Sequence, residues 1–301
     1  MKKIIRNICA LTFAGVLALS GCGASPLKSN FSYPENYTKI AAPTEFTTVE
    51  KSGGNVGNVT IESGDTYAVI SVKNYGDIKI KLFPEEAPYA VQNFIDLAMN
   101  GYFEGKSIHR VISDFMIQGG SLNGDGTGGN SAEGGEFACE VNGNMRHFYG
   151  ALCYANAAGK NTCQFYIVNN KTPQSVNAEF YNGYAEYYAT MVEAYKSNST
   201  KYEQGSEGYV YFTSMADSYS GMIKGAELMS EKLTDEIVAK YAEVGGVPFL
   251  DGGYTVFGQT VEGFDVIDKI SAAETVMGSN GSQSSPVDEI VISTVAIMKA
   301  E

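Results

Sequence analysis

Ile108-His109-Arg110-Val111-Ile112-Ser113-Asp114-Phe115-Met116-Ile117-Gln118-Gly119-Gly120 is the stretch on which the fold turns. Apolar and β-branched residues flank Ser113-Asp114, a pair suited to a turn. The stretch therefore reads as two strands joined by a tight connection. The glycine-rich run that follows, residues 121–136, could not survive as a helix.

Upstream, Tyr67–Lys73 and Asp77–Phe83 are two strand patterns with Asn74-Tyr75-Gly76 as the turn. Ile78, Ile80 and Leu82 alternate with Lys79 and Lys81, so one face is buried and one is wet. Pro84 ends the second strand. Pro88 opens a helix carrying Val91, Phe94, Ile95 and Ala98 on one stripe, and Gly101 stops it. Downstream, Gly150–Tyr154, Gln164–Asn169, Thr255–Gln259 and Glu289–Ala296 read as strands, and Val261–Ile270 as a second helix. Many short strands with two helices predict a mainly β fold, an antiparallel barrel capped by helices.

Residues 171–246 break this texture. Helix-like stretches cover 178–197, 213–232 and 234–244, with Thr234 as an N-cap and Gly245-Gly246 as a stop. The segment is rich in tyrosine, and Tyr181, Tyr184, Tyr188 and Tyr195 fall near one helical face. Such a stripe predicts packing of a helical insertion onto the barrel. The alternative is a surface for extended chains.

At the N-terminus, Lys2, Lys3 and Arg6 precede an apolar run, Ile8–Leu19, that is short for a membrane span. Leu19-Ser20-Gly21-Cys22 resembles the bacterial lipobox. Residues 1–21 are thus expected to be a signal peptide, and Cys22 a lipidated N-terminus. Residues 22–64 are expected to tether the domain to the outer face of the cell membrane. Removing residues 1–21 takes away three bases and no acid, leaving 18 Lys+Arg against 34 Asp+Glu, a net charge of −16. That surface repels phosphate backbones and anionic headgroups, which argues against nucleic-acid binding and leaves membrane attachment to the anchor.

Cys139, Cys153 and Cys163 remain, an odd number without CxxC spacing, and are expected to be small buried thiols, with one disulfide left open. His109 and His147 are the only histidines, and no cluster has metal-ligand spacing, so no metal is expected.

The motifs together resemble the cyclophilins. Ile108–Ile112 followed by Phe115–Gly120 looks like the family signature, and Gly126-Thr127-Gly128-Gly129 like its glycine loop. Tyr154-Ala155-Asn156-Ala157, Gln164-Phe165-Tyr166-Ile167, Phe249-Leu250-Asp251-Gly252 and Tyr254–Gly258 resemble later segments in the right order. The resemblance covers about residues 66–169 and 248–298. It implies a closed eight-stranded antiparallel barrel capped by two helices, formed by residues 65–170 and 247–301, with 171–246 inserted.

It also implies peptidyl-prolyl cis-trans isomerase activity on proline-containing clients, without a cofactor. The amide resists rotation by about 18–20 kcal/mol because the nitrogen lone pair is delocalised. Twisting the bond restores that lone pair, so an enzyme need only bind the twisted state best. By resemblance, Arg110 is the donor to the prolyl nitrogen. Phe115, Met116, Tyr166 and Leu250 would form the apolar pocket, and Gln118 would orient Arg110 or the substrate carbonyl. Ala155, Asn156 and Ala157 would clamp the preceding residues, Gln164 and Gly126 would line the next subsite, and Phe249 and Tyr254 would close over the substrate. His109 reads as a packed strand residue. Phe249 stands where many members have Trp, Tyr254 where many have His, and Tyr166 where Phe is usual. The Tyr166 hydroxyl therefore needs a partner or water.

These readings converge on a monomeric, lipid-anchored isomerase assisting exported proteins. A non-catalytic chaperone using the tyrosine-rich segment is the alternative. A solute-binding lipoprotein would fit the signal but not the motifs.

Overall fold

The computed structural model describes residues 27–278 and 281–301. The expected signal peptide and Cys22 lie outside the described residues. In chain order the elements are β1 (Thr47–Thr48), β2 (Thr66–Val72), β3 (Gly76–Leu82), α1 (Pro88–Met99), β4 (Ile108–Ile112), β5 (Met116–Gly119), β6 (Phe137–Ala138), β7 (Glu140–Val141), β8 (Ala151–Ala157) and β9 (Lys160–Val168). Then come α2 (Ala178–Ser199), α3 (Glu207–Glu231), α4 (Asp235–Val244), a 3-10 turn at Pro248–Leu250, β10 (Val256–Glu262), α5 (Phe264–Ser271), β11 (Thr275–Met277), β12 (Gln283–Pro286) and β13 (Ile292–Lys299).

Alternation dictates the first hairpin. Ile78, Ile80 and Leu82 of β3 are buried, while Lys79 and Lys81 reach outward to Glu262 and Asp65, each at 2.7 Å. Asn74 and Gly76 take positive φ in the turn (67° and 122°), a region open to Gly and tolerated by Asn. The main sheet runs β13-β2-β3-β10-β8-β9-β5-β4 with antiparallel neighbours throughout. Its concave side and helices α1 and α5 enclose a core in which Phe94 meets Phe103, Phe165 and Phe257.

The sheet curls through 221° as a half-barrel, which corrects the closed barrel expected from the sequence. Edge strands β4 and β13 approach only near their starts, through a bridge between Ser107 and Val291. Farther along, the outer edge of β13 is occupied by the N-terminal stretch. Asn30 and Phe31 donate main-chain bonds to the Ile297 oxygen, and Ile297 donates to Ser29 Oγ. Edge groups already paired are not available to a second ladder.

The same stretch runs along the domain rather than hanging from it. Phe31 and Tyr33 pack on the core, Gln92 of α1 holds Ile40 by two bonds, and Asn55 is buried against Arg146 and Gln259. An extended chain has no helical or strand period to betray such contacts.

Other departures are local. Gly263, at φ 88°, separates β10 from α5, so the helix begins at Phe264 and Val261 belongs to the strand. Helix α3 starts earlier than its apolar pattern suggests, because Ser206 caps it by accepting from the Tyr209 amide. Tyr188 and Tyr195 of α2 both meet Tyr219 of α3, so much of the tyrosine stripe lies between those two helices. Cys139, Cys153 and Cys163 are buried free thiols. Among the described residues no helix is long and apolar enough to cross a membrane, and no group of three or more His, Cys, Asp or Glu could hold a metal ion.

Candidate active site

Register builds the site. Arg110 on β4 pairs with Gln118 on β5, which pairs with Tyr166 on β9, which pairs with Cys153 on β8. Directly opposed residues in antiparallel strands share a face, so Arg110, Gln118 and Tyr166 stand side by side. Around them a cleft of about 210 Å³ is lined by Arg110, Phe115, Met116, Gln118, Ala155, Asn156, Tyr166, Leu250 and Tyr254.

The half-buried Arg110 guanidinium lies over the Phe115 ring at 5.8 Å. Its Nη1 donates to Gln118 Oε1 at 3.1 Å, and its Nε has no hydrogen-bond partner among the described residues. Burial lowers the Arg110 pKa, opposed by Tyr254, but a guanidinium stays charged at any physiological pH. Arg110 therefore presents donors to a cleft of mixed polar and apolar lining.

The turn that carries Phe115 is fixed from behind. Asn169 accepts from the Phe115 amide at 2.7 Å and donates to the Ile112 oxygen at 3.0 Å. The lid side comes from residues 248–254. Leu250 and Tyr254 line the cleft, while Phe249 stacks on Phe115 at 5.7 Å. Asn156 donates to the Gly253 oxygen at 3.2 Å, tying β8 to that loop.

Nine of the expected residues thus line one cleft. Four do not. Gln164 and Gly126 stand behind it, with Gln164 bridging Gln118 to the Gly126 oxygen. Phe249 flanks it through Phe115. Ala157 is exposed at the end of β8, where the strand leaves the cleft.

The family cyclophilin type peptidyl-prolyl cis-trans isomerase/CLD matches residues 67–213 and 237–297. This chain belongs to the cyclophilins. A relative from Staphylococcus saprophyticus, provisionally named a peptidyl-prolyl cis-trans isomerase, is 32% identical over 239 residues, covering 79% of this chain and 94% of its own. One of the same name from Staphylococcus aureus strain USA300 is 32% identical over 243 residues, covering 80% and 95%. A crystal structure of a Cryptosporidium parvum cyclophilin type peptidyl-prolyl cis-trans isomerase aligns with a TM-score of 0.49 and 22% identity, covering 77% of this chain and 97% of that one. The cyclophilin match passes over residues 214–236, which span much of α3 and the start of α4.

Sequence reasoning missed the residues beneath this cyclophilin cleft. The Tyr166 hydroxyl lies 3.0 Å from His147 Nε2, and His147 leads to Asp251. Tyr166 as an expected buried phenol was the available signal, since its oxygen had to find a partner.

Proposed function

We propose that this cyclophilin is a peptidyl-prolyl cis-trans isomerase in which Arg110 donates to the prolyl nitrogen as the bond twists. The observation that carries the reading is Arg110 itself. Its charged fork is held at the wall of the cleft, beside the apolar surfaces of Phe115, Met116, Tyr166 and Leu250. These walls suit a proline ring. Rotation needs no nucleophile or base, only stronger binding of the twisted amide than of either planar form. A donor in a partly desolvated cleft gains strength as the lone pair reappears. Ala155 and Asn156 are placed to hold the chain before proline while the far side turns.

The test compares the chain with its Arg110→Ala variant on a short Xaa-Pro peptide. Acceleration by the wild type and a loss of about a hundredfold or more in kcat/KM in the variant are expected, in the range for removal of one transition-state donor. A wild type without activity would refute the reading.

The cellular part of the proposal rests on sequence. The chain is exported, lipidated at Cys22 and held outside the cytoplasm, where it acts as a monomer on exported clients. Residues 171–246 are an insertion in its cyclophilin domain. Cys22→Ser is expected to move the protein from the membrane fraction to the soluble one.

A second reading, a chain-binding module, draws on Tyr187 and Tyr211 of the helical segment, which are 52% and 55% exposed. Tyr187→Ser with Tyr211→Ser would abolish capture of unfolded chains while sparing peptide isomerisation.

A further inference from the structure

Beneath the cleft lies a continuous buried polar chain that reaches the helices. His147 Nδ1 is 2.8 Å from Asp251 Oδ1, and the His147 main-chain amide donates to the same oxygen at 2.9 Å. Asp251 Oδ2 accepts from the Tyr181 hydroxyl of α2 and the Tyr241 hydroxyl of α4, each at 2.7 Å. Arg146 Nη1 stands 3.6 Å from that oxygen, and Arg146 Nη2 donates to the Met229 oxygen of α3 at 3.1 Å. Arg146, His147, Tyr181, Tyr241 and Asp251 are all buried. Burial works against the charge on Asp251, but the His147 bonds and Arg146 outweigh it and hold its carboxyl below the usual range.

These bonds have a direction. A carboxylate only accepts, so Nδ1 carries the imidazole proton. On the other side of the ring, Nε2 lies 3.0 Å from the Tyr166 hydroxyl and closes the chain. The rotor of the cleft floor is thereby set from below. Asp251 also sits between Leu250 and Tyr254, so the same carboxylate fixes the wall. Helix α3 adds a steric grip: a Cβ on Gly225 would fall on the Gly252 oxygen.

We infer that Asp251 and His147 are positioning residues for the proline pocket, through which helices α2, α3 and α4 hold its floor and wall. The inference rests on the isomerase reading. Neither residue lines the cleft, and neither meets Arg110. Their contribution is to binding of the proline residue in planar and twisted states alike, which appears in KM and not in kcat.

The experiment uses the full chain, with Tyr181→Phe and Tyr241→Phe combined and Tyr202→Phe, at an exposed tyrosine, as the control. Removing two donors without bulk is expected to raise KM, and the Kd of a proline-containing peptide, by about three- to tenfold with kcat within about twofold. His147→Gln is expected to raise KM as well, and to add little in a Tyr166→Phe background, since it acts on the floor through that hydroxyl. Nitrogen NMR of the two imidazoles, assigned with His109→Gln, should find His147 protonated on Nδ1. A fall in melting temperature with unchanged Kd and KM would mark a purely structural network and overturn the inference. Additive effects of His147→Gln and Tyr166→Phe, or the opposite tautomer, would also overturn it. If the wild type binds peptide without turning it over, the isomerase reading fails and the peptide Kd still decides the positioning role. If it does neither, both fall.

Discussion

Arg110 and Gln118 face each other across β4 and β5, with the guanidinium Nη1 3.1 Å from the amide oxygen. The link continues. Gln118 Nε2 donates to Gln164 Oε1 at 3.1 Å, and Gln164 Nε2 donates to the Gly126 oxygen at 2.9 Å. Two neutral amides thus orient the charged group from a backbone atom of the glycine loop. They add no charge that would compete with the substrate for Arg110.

Gln118→Ala should lower kcat/KM about tenfold, the effect of losing one charge-assisted hydrogen bond. Gln164→Ala, one bond further back, should cost less. The peptide assay checks the order. Equal activity of all three chains would mean that packing on Phe115 and Met116 alone positions the guanidinium.

His109 predicts an acid-side loss of stability. Burial, with a further push from Arg110, lowers its pKa from 6.5 to about 4. Between those values the unfolded chain binds a proton that the folded chain excludes, so stability falls as pH drops through the window. At its lower end the gap amounts to roughly 3 kcal/mol. Melting followed from pH 7 to 4 should fall more steeply in the wild type than in His109→Gln. Parallel slopes would count against a neutral buried imidazole.

Phe94 of α1 is fully buried between Phe103, Phe165 and Phe257. Phe94→Ala removes the ring and leaves a cavity that rigid β-sheet walls cannot close. A cost of about 3–5 kcal/mol is expected in denaturant unfolding. A cost below about 1 kcal/mol would mean that the core collapses around the gap.

Gly225→Ala separates α3 from the cleft loop. Its Cβ would meet the carbonyl of Gly252, a backbone atom with no rotamer to yield. A loss of about 1–3 kcal/mol is expected from overpacking, and peptide KM should rise with it. Gly183→Ala in α2 has open space around the new carbon and serves as the control.

The cleft was largely legible in the linear chain. Arg110, Phe115, Met116 and Gln118 come from one hairpin, whose alternation and turn decide which side chains share a face. Ala155, Asn156, Tyr166, Leu250 and Tyr254 lie in motifs that each keep their own spacing. Such features are local, because a strand's period of two and a turn's φ requirements are set by neighbouring residues.

The half-barrel edge and the buried polar chain were decided only by the tertiary structure. The far edge of β13 is taken by Ser29–Phe31 rather than by β4, and no period in the sequence records that competition. Arg146, His147, Tyr181, Tyr241 and Asp251 come from both sides of the sheet-to-helix boundary and share no spacing. What brings them together is the demand that each buried polar atom find a partner, and that demand is met in space rather than along the chain.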